Sequence, residues 1–402
     1  MVAAITWLDA SSETQRQMRD VIRLFEQKES RDELGLSQFR DGLSDGLFPG
    51  TSVLLTRARY MLFIPWAFIK ANASANPLAQ ERKHEFATIN ALKAAGERDG
   101  LIGRQAGNAL KTLPSTMYWS ALNYYGILTM QDMTREQAAA AAQRGKTLKR
   151  SSRPSNTGPW HPGLPAVPGT FPNQIDDGFA LSEPEAEWLR DRMAQSSPSS
   201  LLNELLYRPP ESDSEQLWTD SAARSCTGEA KELVERAEVF SKMIHGAQLL
   251  YNLLLARKAE NAFPERHEGR TEQFEEELHK WAVSVVADRV LDRWDFSALV
   301  ESVTEIRRRP VDPRAKIFIH AWGELVTSKD PSTIAANADA VRLVSERERT
   351  MKRRQARLDN PRLLARWNGA SGAGQLSFRW TQVRRVILDI HDGLQKAPVD
   401  NA

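Results

Sequence analysis

The chain has 402 residues, 41% of them hydrophobic and 26% charged, a composition that excludes wholesale disorder and allows two or three domains. Lys plus Arg total 54 against 52 for Asp plus Glu, so the formal net charge of +2 leaves any contact with nucleic acid to local clustering. One cysteine, Cys226, excludes an intramolecular disulfide and a Cys-x-x-Cys metal site; it reads as a small buried thiol in a reducing, cytoplasmic compartment.

The first ten residues lack a basic stretch followed by a continuous apolar one, so no secretory signal is expected. Ser12 with Gln15 forms a capping-box pattern, and Met18, Val21, Ile22 and Phe25 follow at helical spacing, predicting a helix over residues 12–29. Ser37 opens a second helix with Phe39, Leu43 and Leu47 on one face, stopped by Pro49 and Gly50. Thr51 or Ser52 then caps an apolar segment running to Ile69. Its longest apolar run, Tyr60 to Ile69, is about half the roughly 20 residues a membrane span needs, so it reads as core and no membrane is expected as a partner.

Residues 84–128 read as helix, turn, helix, turn, helix: Phe86 to Gly96, Arg104 to Leu113 and Met117 to Tyr125, the outline of a helix-turn-helix unit. The third of these contains no Lys or Arg, which favours a structural hairpin over a groove reader. Thr134 to Gln143 is a further helix. Six prolines and four glycines without hydrophobic period then mark residues 151–178 as a linker between an N-terminal helical domain (1–150) and a C-terminal one (179–402). Within it, Trp160, His161 and Pro162 read as an anchor onto a domain surface.

The C-terminal half is rich in helix-start signals: Ser182 with Glu185 as a capping box, and Ser197-Pro198, Asp312-Pro313, Asp330-Pro331 and Asn360-Pro361. From Glu229 to Ala256, Leu233, Ala237, Phe240, Ile244, Ala247, Tyr251 and Leu254 alternate steps of four and three, the seam of a long bundle helix. No comparable strand alternation occurs. The expected fold is mainly α, multi-helix, with two lobes and little sheet.

Chemistry-bearing motifs are sparse. The seven histidines form no His-Glu-x-x-His and no pair at three or four residues' separation, and no phosphate loop, Gly-x-Gly-x-x-Gly or Gly-x-Ser-x-Gly is present, so neither a metal nor a cofactor is expected. The acidic residues between Asp9 and Asp45 form no paired-carboxylate signature apart from ordinary helix surface. Asn368 to Gly374 is glycine-rich and reads as a turn, with an anion nest as the alternative.

Ser241, His245, Gln248 and Asn252 share one stripe of the long helix beside its apolar seam. They predict either a polar network that fixes helix register or a pocket around His245. The strongest charge signal spans Arg342 to Arg385, with twelve basic residues against three acidic ones. Eleven of the twelve are Arg, suited to phosphate, and Trp367, Phe378 and Trp380 are interleaved. Arg353, Arg354, Arg357, Arg384 and Arg385 are the candidate contacts to a nucleic-acid backbone; solvated helix surface, or docking to an acidic partner protein, is the alternative.

Ile5 to Asp9, Leu47 to Ser52 with Thr56 to Tyr60 and Pro65-Trp66, Phe240-Ser241 with Gly246-Ala247 and Leu250 to Asn252, and Arg357-Leu358, Trp367, Gly369, Gly372, Arg379-Trp380 and Asp389-Ile390 together resemble the bacterial family filed as domain of unknown function 6361. The resemblance covers essentially the whole chain and supplies no catalytic residues. It implies a bacterial cytoplasmic protein, in a family whose members sit near helicase-like and other DNA-handling genes, including defence loci. A non-enzymatic, nucleic-acid-associated component of a multi-protein system is therefore the expected function; an enzyme built around His245, or an interaction scaffold, is the alternative.

Overall fold

The computed structural model describes residues 32–72, 74–130, 132–147 and 158–395; the helix expected over 12–29 and the residues Ile5 to Asp9 lie outside them. Within them the protein is mainly α: sixteen α-helices, with a single isolated bridge between Leu128 and Trp160 in place of a sheet. Twelve of the helices exceed two turns: α1 (Ser37–Leu47), α2 (Tyr60–Ala71), α3 (Pro77–Ala94), α4 (Pro114–Tyr124), α5 (Arg135–Thr147), α6 (Glu183–Ser196), α7 (Gly228–Ala262), α8 (Arg270–Ala287), α9 (Phe296–Arg307), α10 (Pro313–Ser328), α11 (Ala338–Lys352) and α12 (Trp380–Leu394). None is long and apolar enough to cross a membrane.

The chain packs as two compact units, each assembled from separate stretches of sequence. The first comprises Phe48–Cys226 and residues 379–395. α2 is buried on nearly every face and forms its centre, packed against α3 and α4, while α12 lies along α6. Gly393 of α12 sits so close to Leu181 and Ala186 that a side chain there would collide. Ser182 and Glu185 form the expected capping box at the start of α6.

The helix expected from Thr51 or Ser52 instead begins at Tyr60. Tertiary partners take the amides before it: Thr56 and Arg57 donate N–H to the Tyr118 hydroxyl at 2.7 and 3.0 Å, and Ala58 to the Asp389 carboxylate at 2.9 Å. These amides are therefore satisfied without helical geometry. The helix expected over Arg104 to Leu113 reduces to one 3-10 turn, Gly107–Ala109, and the N-terminal residues of α4, Pro114 to Tyr118, are buried. The first turns of α4 are therefore part of the core, while Ser120 and Tyr124 remain exposed.

The expected division at residues 151–178 is replaced by divisions after Leu47, Cys226 and Phe378. The described part of the proline-rich stretch, 158–178, belongs to the first unit. Trp160 packs edge-on against Phe68 and Trp119, Phe171 stacks on Phe63 and meets Trp66 edge-on, and Trp66 Nε1 donates to the Pro165 carbonyl at 2.9 Å. Proline removes helical period from a segment, but these aromatic residues still bury.

The second unit comprises residues 32–47 and Thr227–Phe378. Its axis is α7, 35 residues long, with α8 packed along it and α1, α10 and α11 also against it; α9 pairs with α1. Gly246 admits the Trp281 ring against α7, and the Trp281 and Trp322 indoles donate to the carbonyls of Lys242 and Met243 at 2.8 and 2.9 Å. Arg347, only 5% exposed, donates to the carbonyls of Leu34, Gly35 and Arg314, so one member of the basic segment is a core strut tying α1's approach to α11.

Candidate functional site

The polar stripe of α7 holds down the glycine-rich loop. Ser241 donates its hydroxyl to the Leu376 carbonyl at 2.8 Å. His245 Nε2 lies 3.0 Å from the Ala373 carbonyl, so the ring is the tautomer that donates there. Asn252 pairs with both backbone groups of Ser371. Burial pulls the His245 pKa below its ordinary value, outweighing the carbonyl that favours the cation. These three side chains act as pegs that hold residues 371–376 to α7.

Gln248 is the exception. It is buried, its Oε1 meets no partner among the described residues, and it borders a narrow recess with Asp32, Glu33, Arg40, Tyr251 and Gly372. Beside that recess lies a charged cluster that the sequence pattern does not announce. Glu348, fully buried, accepts the Tyr251 hydroxyl at 2.6 Å and the amides of Arg357 and Leu358 at 2.8 and 3.1 Å. Glu33 pairs with Lys352 and, at 2.9 Å, with Arg357, while Lys352 donates to the Tyr251 oxygen at 3.1 Å. Burial and the Glu348 charge push the Tyr251 phenol well up, so it stays a proton donor. Two carboxylates face two cations, a compensated set that ties residues 352–358 to α7. Only the Glu348 and Lys352 spacing of four was legible as a helix pair; Glu33 is contributed from a distant part of the chain.

The boundary at Phe378 divides the basic segment between the two units. In the first unit, Arg384 donates to the Ser214 carbonyl and Arg385 pairs with Asp99. In the second, Arg342 pairs with Asp339, Arg349 with Asp359, and Arg357 with Glu33. Trp367, Phe378 and Trp380 are buried core residues, so none offers a ring for stacking on a base. What remains is a rim of four exposed guanidiniums, Arg353, Arg354, Arg362 and Arg366, whose side chains have no acidic partner among the described residues. Arg353 and Arg354 belonged to the expected set; Arg362 and Arg366 were counted in the basic segment but not singled out.

The loop carrying this rim is fixed from below. Lys258 of α7 donates to the Leu358 carbonyl at 2.5 Å, Arg266 to the Ala365 carbonyl at 2.7 Å, and Asn360 caps the short helix Pro361–Leu364. Trp367 packs its ring on His267, with centroids 5.2 Å apart.

Among the described residues, no group of three or more His, Cys, Asp or Glu side chains converges to hold a metal ion. Cys226 is buried. The chain matches the family described as Family of unknown function (DUF6361) over residues 2–393. It belongs to that family. No curated protein and no solved structure matches the chain. The family match spans both units, so the pegged loop and the guanidinium rim both lie within the matched region.

Proposed function

We propose that this DUF6361 member is a non-enzymatic bacterial protein that binds the backbone of nucleic acid within a multi-protein, defence-linked system, through the rim formed by Arg353, Arg354, Arg362 and Arg366. The observation carrying this reading is that these four guanidiniums are exposed and free of acidic partners among the described residues, on a loop anchored by Lys258 and Arg266. Guanidinium forks suit phosphate oxygens, and a loop already ordered pays little further entropy on contact. With the nearby aromatic rings buried, recognition runs through phosphates and carries little sequence preference. The single buried cysteine is consistent with action in the cytoplasm.

The test is a titration of the full chain with duplex and single-stranded oligonucleotides at two salt concentrations. The log-log slope on duplex DNA is expected to be about −0.9 per phosphate neutralised. Replacing all four arginines by Gln should flatten it by up to about 3 to 4 while leaving the fold intact. No binding at low salt, or binding indifferent to the four substitutions, overturns the reading.

A further inference from the structure

An open recess of about 220 Å³ lies in the second unit between the N-terminal half of α7 and the segment entering α9, smaller than the clefts of about 300–1,000 Å³ that enclose whole drug-sized molecules and of a size for one short side chain or stem. Its floor is apolar: Val239, Phe240 and Leu299 are 5%, 0% and 1% exposed, and Ala298 adds a methyl group. Trp294 forms one wall, braced on Gly323 of α10 at a separation that no side chain could share.

The rim is charged, and most of its charge is already committed. Arg236 donates to the Ser302 hydroxyl at 2.6 Å, Arg293 pairs with Glu238 at 2.9 Å, and Asp295 caps α9 by accepting the Ala298 amide at 2.9 Å. Glu232 and Glu235 are exposed, adjoin the recess and make no hydrogen bond or ion pair among the described residues. Among the residues that line the recess, the carboxylates of Glu232, Glu235 and Asp295 against the guanidiniums of Arg236 and Arg293 leave an excess of one negative charge around an apolar floor. An anion is repelled by that balance, and an uncharged guest leaves Glu232 and Glu235 unanswered.

We propose that this recess binds a primary alkylammonium group. Its methylene stem lies on Val239, Phe240, Ala298 and Leu299, and its charged head meets Glu232 and Glu235 beside the Trp294 ring. Long amines divide themselves in this way, burying the stem and keeping the head among carboxylates and water, and an indole wall adds attraction for a cation within about 6 Å of its centroid. The chemistry is shared by a free polyamine and by the lysine side chain of a partner protein. The proposal is independent of the arginine rim, and neither stands or falls with the other.

The experiment uses the full chain labelled with 5-fluorotryptophan, the Trp294 fluorine resonance being assigned with Trp294→Phe. It is titrated with spermidine, with N-acetyl-lysine methylamide, and with the norleucine analogue that lacks the amine. A saturable shift of the Trp294 resonance with at least one of the two amines, and none with the norleucine analogue, is expected. Spermidine alone points to a free polyamine, the lysine derivative alone to a partner's side chain, and both to the bare ammonium. Glu232→Gln combined with Glu235→Gln, exposed positions that leave the other indole resonances in place, weakens binding tenfold or more. Ala298→Leu, which fills the recess without touching a charge, abolishes it. No saturable shift with either amine, an equal shift with the norleucine analogue, or full affinity in the double Gln variant overturns the proposal.

Discussion

The Asn252 carboxamide meets Ser371 as a two-bond pair, donating from Nδ2 to the Ser371 carbonyl at 2.9 Å and accepting the Ser371 amide at Oδ1 at 2.8 Å. Both residues are buried, so water does not replace either bond. Asn252→Ala strands two backbone groups and is expected to cost about 2–6 kcal/mol, from about 1–3 per stranded group. Urea denaturation measures the loss, and hydrogen exchange at the Ser371 amide localises it. A cost under about 1 kcal/mol with unchanged protection at Ser371 contradicts the pairing.

His245 gives stability a pH dependence of defined sign. Its folded pKa lies below the ordinary value, so from about 6.5 downward the unfolded chain takes up a proton that the folded protein refuses. Stability attributable to this residue is full above that value and declines as pH falls toward the folded pKa. His161 and His267 are lowered too, but they are common to wild type and variant. His245→Gln should therefore lose stability at pH 7.5 and narrow the difference between pH 7.5 and 5.5; full stability with selective loss of biological activity would favour the pocket reading.

Glu85 carries the opposite sign. It is fully desolvated in α3, one turn from the equally buried Glu81, with one guanidinium, that of Arg135, serving both at 3.8 and 3.0 Å. Burial and the Glu81 charge raise its pKa well above the ordinary value, although Ser115 offers its amide and hydroxyl at 2.7 and 2.9 Å. The folded protein thus holds a proton that the unfolded chain releases, and the associated stability declines as pH rises from the ordinary carboxyl range to the folded pKa. Glu85→Gln should flatten that decline in denaturation curves taken across pH; an unchanged pH profile counts against a retained proton.

Arg357 and Arg354 differ in role despite their proximity in sequence. Arg357 is bound to Glu33 and to the Ser371 hydroxyl, so Arg357→Gln should cost about 1.5–3 kcal/mol of stability, the range for a hydrogen bond to a charged group. Arg354 is exposed and its side chain is unpaired among the described residues, and Arg354→Gln should change stability by no more than about 0.5 kcal/mol while lowering the salt slope of DNA binding by about 0.9. Thermal unfolding together with the titration separates the two, and a reversed pattern would reassign them.

Gly246→Ala should destabilise the second unit by about 1–3 kcal/mol, because the added methyl group meets the Trp281 ring rather than open space. The Trp281 fluorine resonance of labelled protein would shift in step, and a variant as stable as wild type with an unmoved resonance disproves the close contact.

Helix identity was legible where period and caps agreed: α1, α6 and α7 follow their apolar spacing, the Ser182–Glu185 box and the stop at Pro49 and Gly50. Boundaries set by distant partners were not. Nothing near Thr56 announces that Tyr118 and Asp389 will take the amides of residues 56–58. The stripe of α7 was readable as a set of residues on one face, but its target, the backbone of residues 371–376, lies more than a hundred positions away. Arginine spacing likewise does not distinguish Arg347, sunk into the core, from Arg354 in solvent, since burial depends on which stretch packs against each. The alkylammonium recess left no motif at all, because its floor and its free carboxylates are ordinary helix residues until the segment before α9 folds against them.

The two units interleave along the chain, and this sets an order for synthesis. α1 emerges early but belongs with Thr227–Phe378, whereas Phe48–Cys226 must wait for α12, the last of the described helices to be made. Ribosomes extend at about 5–20 residues per second, and domains ordinarily fold as they emerge. Here the second unit becomes complete before the first, although most of the first is translated earlier. Phe48, whose ring stacks on Trp380 at 6.0 Å, and Ala58, whose amide is received by Asp389, spend that interval without their partners. Until α12 has emerged from the ribosome the growing chain therefore carries an open first unit, the stage at which it has most need of a chaperone.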